Sequence, residues 1–244
     1  MDNSIAGLVL QCAGIISEAA LIVYLARRGL WKRQGAVAFY LGCLLLTELA
    51  RAGVLYANGL NSPQYFYVYW STDFLLVISA FLAVCFFFRR ACLREERMWR
   101  YVRLLLPLTL ILVVAISSIL FLHNYHKLFF SYFVVEFNQN LYFTCLVLNT
   151  LLYLLLQYIE STDDQLGLLV CGLGIQFAGP AATFALVHLT PGEAFARSLS
   201  STVMRLCTLG ALFVWAYAVM HVQDKAIRVA GHEVPVLAEV TGHI

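Results

Sequence analysis

VRLLLPLTLILVVAISSILFL, residues 102–122, decides the class of this protein. From Leu104 to Leu122 the run carries no ionisable side chain. Wound as an α-helix at 1.5 Å per residue, about twenty such residues cover the roughly 30 Å hydrocarbon core of a bilayer. A surface helix of a soluble domain would show a polar stripe every three or four positions, and this segment shows none.

Six more apolar segments flank it. Residues 5–26, 35–58 and 66–88 precede it, and 128–158, 165–188 and 196–221 follow. Each is long enough to span lipid, and backbone groups in lipid must be satisfied within the segment, so all seven are expected to be helices. The fifth is longer than a perpendicular crossing needs, which implies tilt or an interfacial first turn. The composition agrees. Hydrophobic residues make up 61% of the 244, charged residues 12%, and the mean hydropathy is +0.80. Soluble domains hold about 45–50% apolar and about 25% charged residues. A soluble globular protein, a disordered chain and a nucleic-acid binder are excluded. The expected fold class is an all-α membrane protein: a seven-transmembrane-helix bundle over residues 1–221, with a short cytoplasmic tail at 222–244.

Basic residues orient the bundle. Arg27, Arg28, Lys32, Arg33, Arg89, Arg90, Arg94, Arg97, Arg100, Arg103, Lys225 and Arg228 fall on one side, against Lys127 and Arg197 on the other. This asymmetry predicts the N-terminus outside and the C-terminus in the cytoplasm. Trp31, Trp99 and the run Tyr65 to Trp70 sit at the expected interfaces, where amphipathic rings prefer to lie. Met1-Asp2-Asn3-Ser4 carries no basic region before its apolar run, so a cleaved signal peptide is not expected. The connections and the tail are too short to hold a folded effector domain.

Polar groups inside an apolar frame are the functional candidates, because ionisable side chains in the membrane are costly and face the bundle interior. The segments hold Glu18, Glu48, Arg51, Asp73, Glu136 and Arg205. Arg51, Asp73, Glu136 and Arg205 fall at one depth in the outer half and balance in charge. They are expected to form an ion-pair network, with Arg205 meeting Glu136 and with Asn140 and Thr144 extending the polar stripe of helix five. Ser198, Ser201, Thr202 and Thr208 flank Arg205 in the same way. The network reads either as structural glue or as the wall of an outward-facing pocket for a small polar ligand. Glu18 and Glu48 lie nearer the centre without an assigned cation, and they read either as protonated, hydrogen-bonded carboxyls or as a possible proton or cation site. Helix six combines a small-residue seam, Gly167, Cys171, Gly174, Ala178, Ala182 and Ala185, with a mid-segment Pro180. The seam implies close packing and the proline a kink.

Cofactor signatures are missing. The lysines, Lys32, Lys127 and Lys225, all lie outside the segments, which excludes a retinal Schiff base in the last helix. The seven cysteines are scattered singly, with Cys92 in a cytoplasmic loop. His123, His126 and His188 lie at segment ends without a metal-binding spacing, and His221 has no facing partner for haem. No metal or cofactor is expected, and no catalytic arrangement of Ser, His, Asp or Cys is recognisable.

Five stretches carry a resemblance: Gly29 to Arg33, Tyr65-Phe66-Tyr67-Val68-Tyr69-Trp70, Phe88-Arg89-Arg90, Glu136, and Ala211-Leu212-Phe213-Val214-Trp215. With these the chain resembles a group of short, uncharacterised bacterial seven-helix membrane proteins. That resemblance implies a multi-pass protein of the bacterial inner membrane. At Asn140 the chain departs from the group, which has a second cation near that part of helix five. In helix count it is also similar to the seven-helix input modules of bacterial sensor kinases, an analogy of fold alone. The expected function is a receptor-like or sensor-like module that signals through a separate cytoplasmic partner or as a homo-oligomer. The alternatives are a small-molecule or proton-coupled transporter, or a structural subunit of a membrane complex. An enzyme is not the favoured reading.

Overall fold

Seven helices account for almost every residue described. The structure is a computed structural model, and it describes residues 5–59, 62–92, 96–123, 129–159, 163–189 and 202–220. The helices are α1 (Ile5–Arg27), α2 (Trp31–Asn58), α3 (Pro63–Ala91), α4 (Glu96–His123), α5 (Phe129–Tyr158), α6 (Asp164–Leu189) and α7 (Thr202–Met220). Each is long and apolar enough to cross a membrane. The tail at 222–244 lies outside the described residues, as do His126, His221, His232 and His243 and the side chains of His123 and His188.

Local chemistry explains why several helices outrun their apolar cores. The hydroxyl of Ser62 accepts from Tyr65 N at 3.1 Å and Pro63 occupies the first turn, so α3 starts three residues before the expected 66. Asp163 caps α6 in the same manner, its Oδ1 accepting from Leu166 N at 3.1 Å. α2 begins at Trp31 rather than 35, and a bend at Gln34 (φ −123°, ψ 28°) separates this first turn from the rest. Gly29 and Gly59 take positive φ where the chain leaves α1 and α2. Cys92 is not a loop residue. Its N–H bonds back to Phe88 O and Arg90 O, it is buried, and burial pushes its thiol above the usual cysteine range.

In the packing order, α1 lies on α2, α2 on α3, α3 on α5, and α5 between α4 and α6. α7 is held against α6 and α2 by its tryptophan. Trp215 Nε1 donates to Leu169 O at 3.0 Å, and the Trp215 ring meets Tyr40 edge-on with centroids 6.0 Å apart. Lipid is as apolar as leucine, so helices associate through close approach and polar bonds rather than through water exclusion. Of the predicted seam only Gly174 makes a close approach. Cys171, Ala178, Ala182 and Ala185 face outward. Gly172 and Gly179 meet α7 instead, while Gly174 meets Asn149 of α5. α6 is apolar all round and carries small residues on two faces, so periodicity alone does not choose between them.

Both ends of α3 are tied by ion pairs. At the end rich in basic residues, Arg90 Nη2 lies 2.7 Å from Asp163 Oδ2, which joins α3 to the start of α6. The other end opens into a cavity.

Candidate functional site

α1, α3, α5 and α7 begin, and α2 and α6 finish, at the end of the bundle opposite Arg90. A cavity of about 360 Å³ penetrates there, lined by all six of these helices. α4 supplies no lining residue. The volume falls in the range of small-molecule sites, about 300–1,000 Å³.

The wall on the α2–α3 side is a closed polar knot. Arg51 reaches across from α2, its Nε donating to Thr72 Oγ1 at 2.9 Å and its Nη2 donating to Tyr69 O at 3.3 Å and Asp73 Oδ1 at 3.1 Å. Its guanidinium carbon stands 4.4 Å from the Tyr69 ring centre, a cation–π contact. Asp73 spends its second oxygen on Asn138 of α5, whose Nδ2 donates at 2.5 Å. Three helices thereby share one network. Its central ion pair keeps about a fifth of each side chain exposed, 18% for Arg51 and 21% for Asp73.

The expected residues separate into two groups. Glu18, Glu48, Arg51, Asp73 and Arg205 all line the cavity. Glu136 and Asn140 do not. Asn140 Nδ2 turns to α4 and donates to Ser117 Oγ at 3.0 Å. Glu136 has no ion pair among the described residues, so the expected Arg205–Glu136 contact is not made. The reason is the rotation of α5. Val135, Asn138 and Tyr142 form its cavity face, and positions 136 and 140 are carried round to another side. Asn138 is therefore the residue missed. Its two-residue offset from Glu136 placed it off the polar stripe chosen from the sequence.

Glu48 takes a hydrogen bond from Gln11 Nε2 at 3.3 Å, towards the mouth. The floor differs. Glu18 is 3% exposed and its Oε2 has no hydrogen-bond partner. Asn138 Oδ1, Gln176 Oε1 and Thr183 Oγ1 are likewise buried and unpartnered. Buried polar atoms are nearly always bonded, and these four exceptions, half of the eight among the described residues, belong to side chains that line one cavity. Among the described residues no cluster of His, Cys, Asp and Glu forms a metal-ligand set.

Compared with known proteins, the chain matches no family model, no curated protein and no solved structure. The site is therefore read from its own chemistry.

Proposed function

We propose that this protein is an integral membrane receptor-like module of the bacterial inner membrane. A small polar ligand enters its cavity from outside, and the occupied bundle signals through a separate partner at its basic, cytoplasmic face. The observation that carries this reading is the cavity itself. Five ionisable side chains and four unpartnered buried polar atoms converge there, and the lining comes from six of the seven helices. Structural glue needs its polar atoms bonded to each other, as Arg51, Asp73 and Asn138 are. Glu18 Oε2 and Gln176 Oε1, deeper in the cavity, are not.

A transporter is the second reading, favoured by the buried, unpartnered carboxylate oxygen of Glu18. Uptake into proteoliposomes separates the two: a receptor binds without moving its ligand.

The binding test is a thermal-shift screen of detergent-purified protein against small polar molecules, with Gly14→Leu as the control. Gly14 lines the cavity, and a Cβ built there meets nothing within 4 Å. A leucine at that position fills space without removing a charge and improves helix propensity. Ligands that raise the melting temperature of the native protein, following RT ln(1 + [L]/Kd), are expected to lose their effect in Gly14→Leu, while the unliganded protein stays at least as stable. Retained shifts would place the binding elsewhere.

Sidedness has its own check. Tyr56, near the end of α2 beside the cavity mouth, is 96% exposed, and Tyr158, at the far end of α5, is 82% exposed. A membrane-impermeant maleimide applied to intact cells is expected to label Tyr56→Cys and to spare Tyr158→Cys. The reverse pattern would invert the bundle.

A further inference from the structure

We infer that the ligand of this cavity is a small organic cation whose charge rests at Glu18. The inference rests on the binding reading above and supplies the chemistry of that ligand.

Depth and donor type carry it. Glu18 lies thirteen residues beyond Ile5 at the start of α1, and Gln176 thirteen residues before Leu189 at the end of α6. Both are therefore about 20 Å below their helix ends, deeper than Arg51, which is seven residues or about 10 Å from the end of α2. The floor thus lies beneath the guanidinium of Arg51. Its unpartnered atoms are oxygens throughout. Glu18 Oε2 and the Gln176 amide oxygen accept, while Asn138 Oδ1 and Thr183 Oγ1 are unpartnered higher up, Asn138 beside Asp73 and Thr183 six residues from Leu189. The nitrogen of Asn138 is already committed to Asp73, so its oxygen is the atom left over.

The charges agree. Arg51 and Asp73 neutralise each other, and the remaining ionisable groups of the lining are Glu18 and Glu48 against Arg205. An anion placed on this floor would meet the Glu18 carboxylate, with Glu48 also in the lining, whereas the Gln176 amide and the Tyr142 hydroxyl can serve a ligand of either sign. An ammonium group meets the complementary set. Trp70, Tyr142 and Phe184 also line the cavity, and the Tyr142 and Phe184 rings stand 6.3 Å apart. Aromatic faces attract organic cations, most strongly where water is excluded. A bare alkali ion would leave most of the roughly 360 Å³ unfilled.

The test uses full-length protein in detergent with choline, ethanolamine and n-butylamine hydrochlorides as probes, against sodium chloride at equal ionic strength. Succinate and glycerol serve as anionic and neutral comparisons. At least one amine is expected to give a saturable rise in melting temperature above the salt control. Its affinity is expected to fall at least tenfold in Glu18→Gln and severalfold in Gln176→Leu, a second variant that leaves every charge in place. Amine affinity unchanged in Gln176→Leu and in folded Glu18→Gln would overturn the assignment. A saturable shift with succinate or glycerol but no amine would overturn the cation and keep the pocket. No amine effect beyond salt also overturns the cation. The pocket then stands or falls separately on the wider screen and on Gly14→Leu.

Discussion

Arg51→Met is expected to destabilise the bundle by about 3 kcal/mol, measured by chemical or thermal unfolding in micelles. Breaking a buried ion pair from one side costs about 3–5 kcal/mol, because the abandoned charge loses its compensation. The lower end applies here, since both partners retain about a fifth of their exposure, 18% and 21%. The loss is also spread over more than one bond. Thr72 Oγ1, Tyr69 O and Asp73 Oδ1 all lose a donor, and the Tyr69 ring loses its cation. Asp73 then keeps only Asn138. Asp73→Asn is expected to cost less, because Arg51 still holds Thr72 and Tyr69 O and lies near enough to the helix end to reach towards the interface. The double variant Arg51→Met with Asp73→Asn is expected to recover at least half of the larger loss, since neither side then leaves a charge behind. Strictly additive losses would remove the ion pair from the account of stability.

Gly172→Ala, a single added methyl, is expected to cost about 1–3 kcal/mol, the usual range for overpacking. A Cβ at this position would stand 2.5 Å from Trp215 Nε1 and 2.6 Å from Trp215 Cδ1. The indole cannot step aside cheaply. It is 1% exposed, its nitrogen is bonded to Leu169 O, and its edge is seated on Tyr40. Either the ring rotates and leaves the Trp215 Nε1–H without its acceptor, or α7 retreats from α6. In lipid that retreat forfeits the contacts that hold the helices together. All three atoms nearest the added methyl belong to the five-membered ring, so Trp215→Phe is expected to relieve part of the clash. Gly172→Ala on the Trp215→Phe background should therefore cost less than on the native one. Gly35→Ala is the comparison, because nothing lies within 4 Å of its Cβ and helix propensity favours alanine. Equal effects at Gly172 and Gly35 would show that α6 and α7 do not meet as described.

The fold was legible because lipid imposes one rule on every span, and apolar length reports it directly. Helix ends were less so. Ser62-Pro63 and Asp163 carry α3 and α6 past their apolar cores through capping, which a hydropathy window does not register. Of the site, depth was legible and rotation was not. Arg51 and Asp73 were placed together correctly by counting residues from the helix ends, and they pair. Glu136 lies at a similar height yet off the cavity, while Asn138 replaces it. A charged residue draws the eye, but the angle about the helix axis depends on which neighbours the helix acquires. Both stripes of α5 were equally periodic. The same ambiguity misassigned the small-residue seam of α6.

α3 is a single uninterrupted helix with an ion pair near either end, Arg51–Asp73 at the cavity and Arg90–Asp163 seventeen residues away, about 25 Å along the axis. Between them Val77, Ala80, Phe81, Val84, Phe87 and Phe88 are buried, so the middle of the helix is gripped while its ends are latched. Were a change at one latch to shift the helix as a unit, it would be felt at the other. Thermodynamics then requires traffic in both directions. Whatever factor a molecule in the cavity imposed on binding at the Arg90 face, a protein docked at that face would return the same factor to the molecule. Cells that vary the amount of such a docking protein would thereby retune the concentration at which the cavity fills, with no change to the cavity itself.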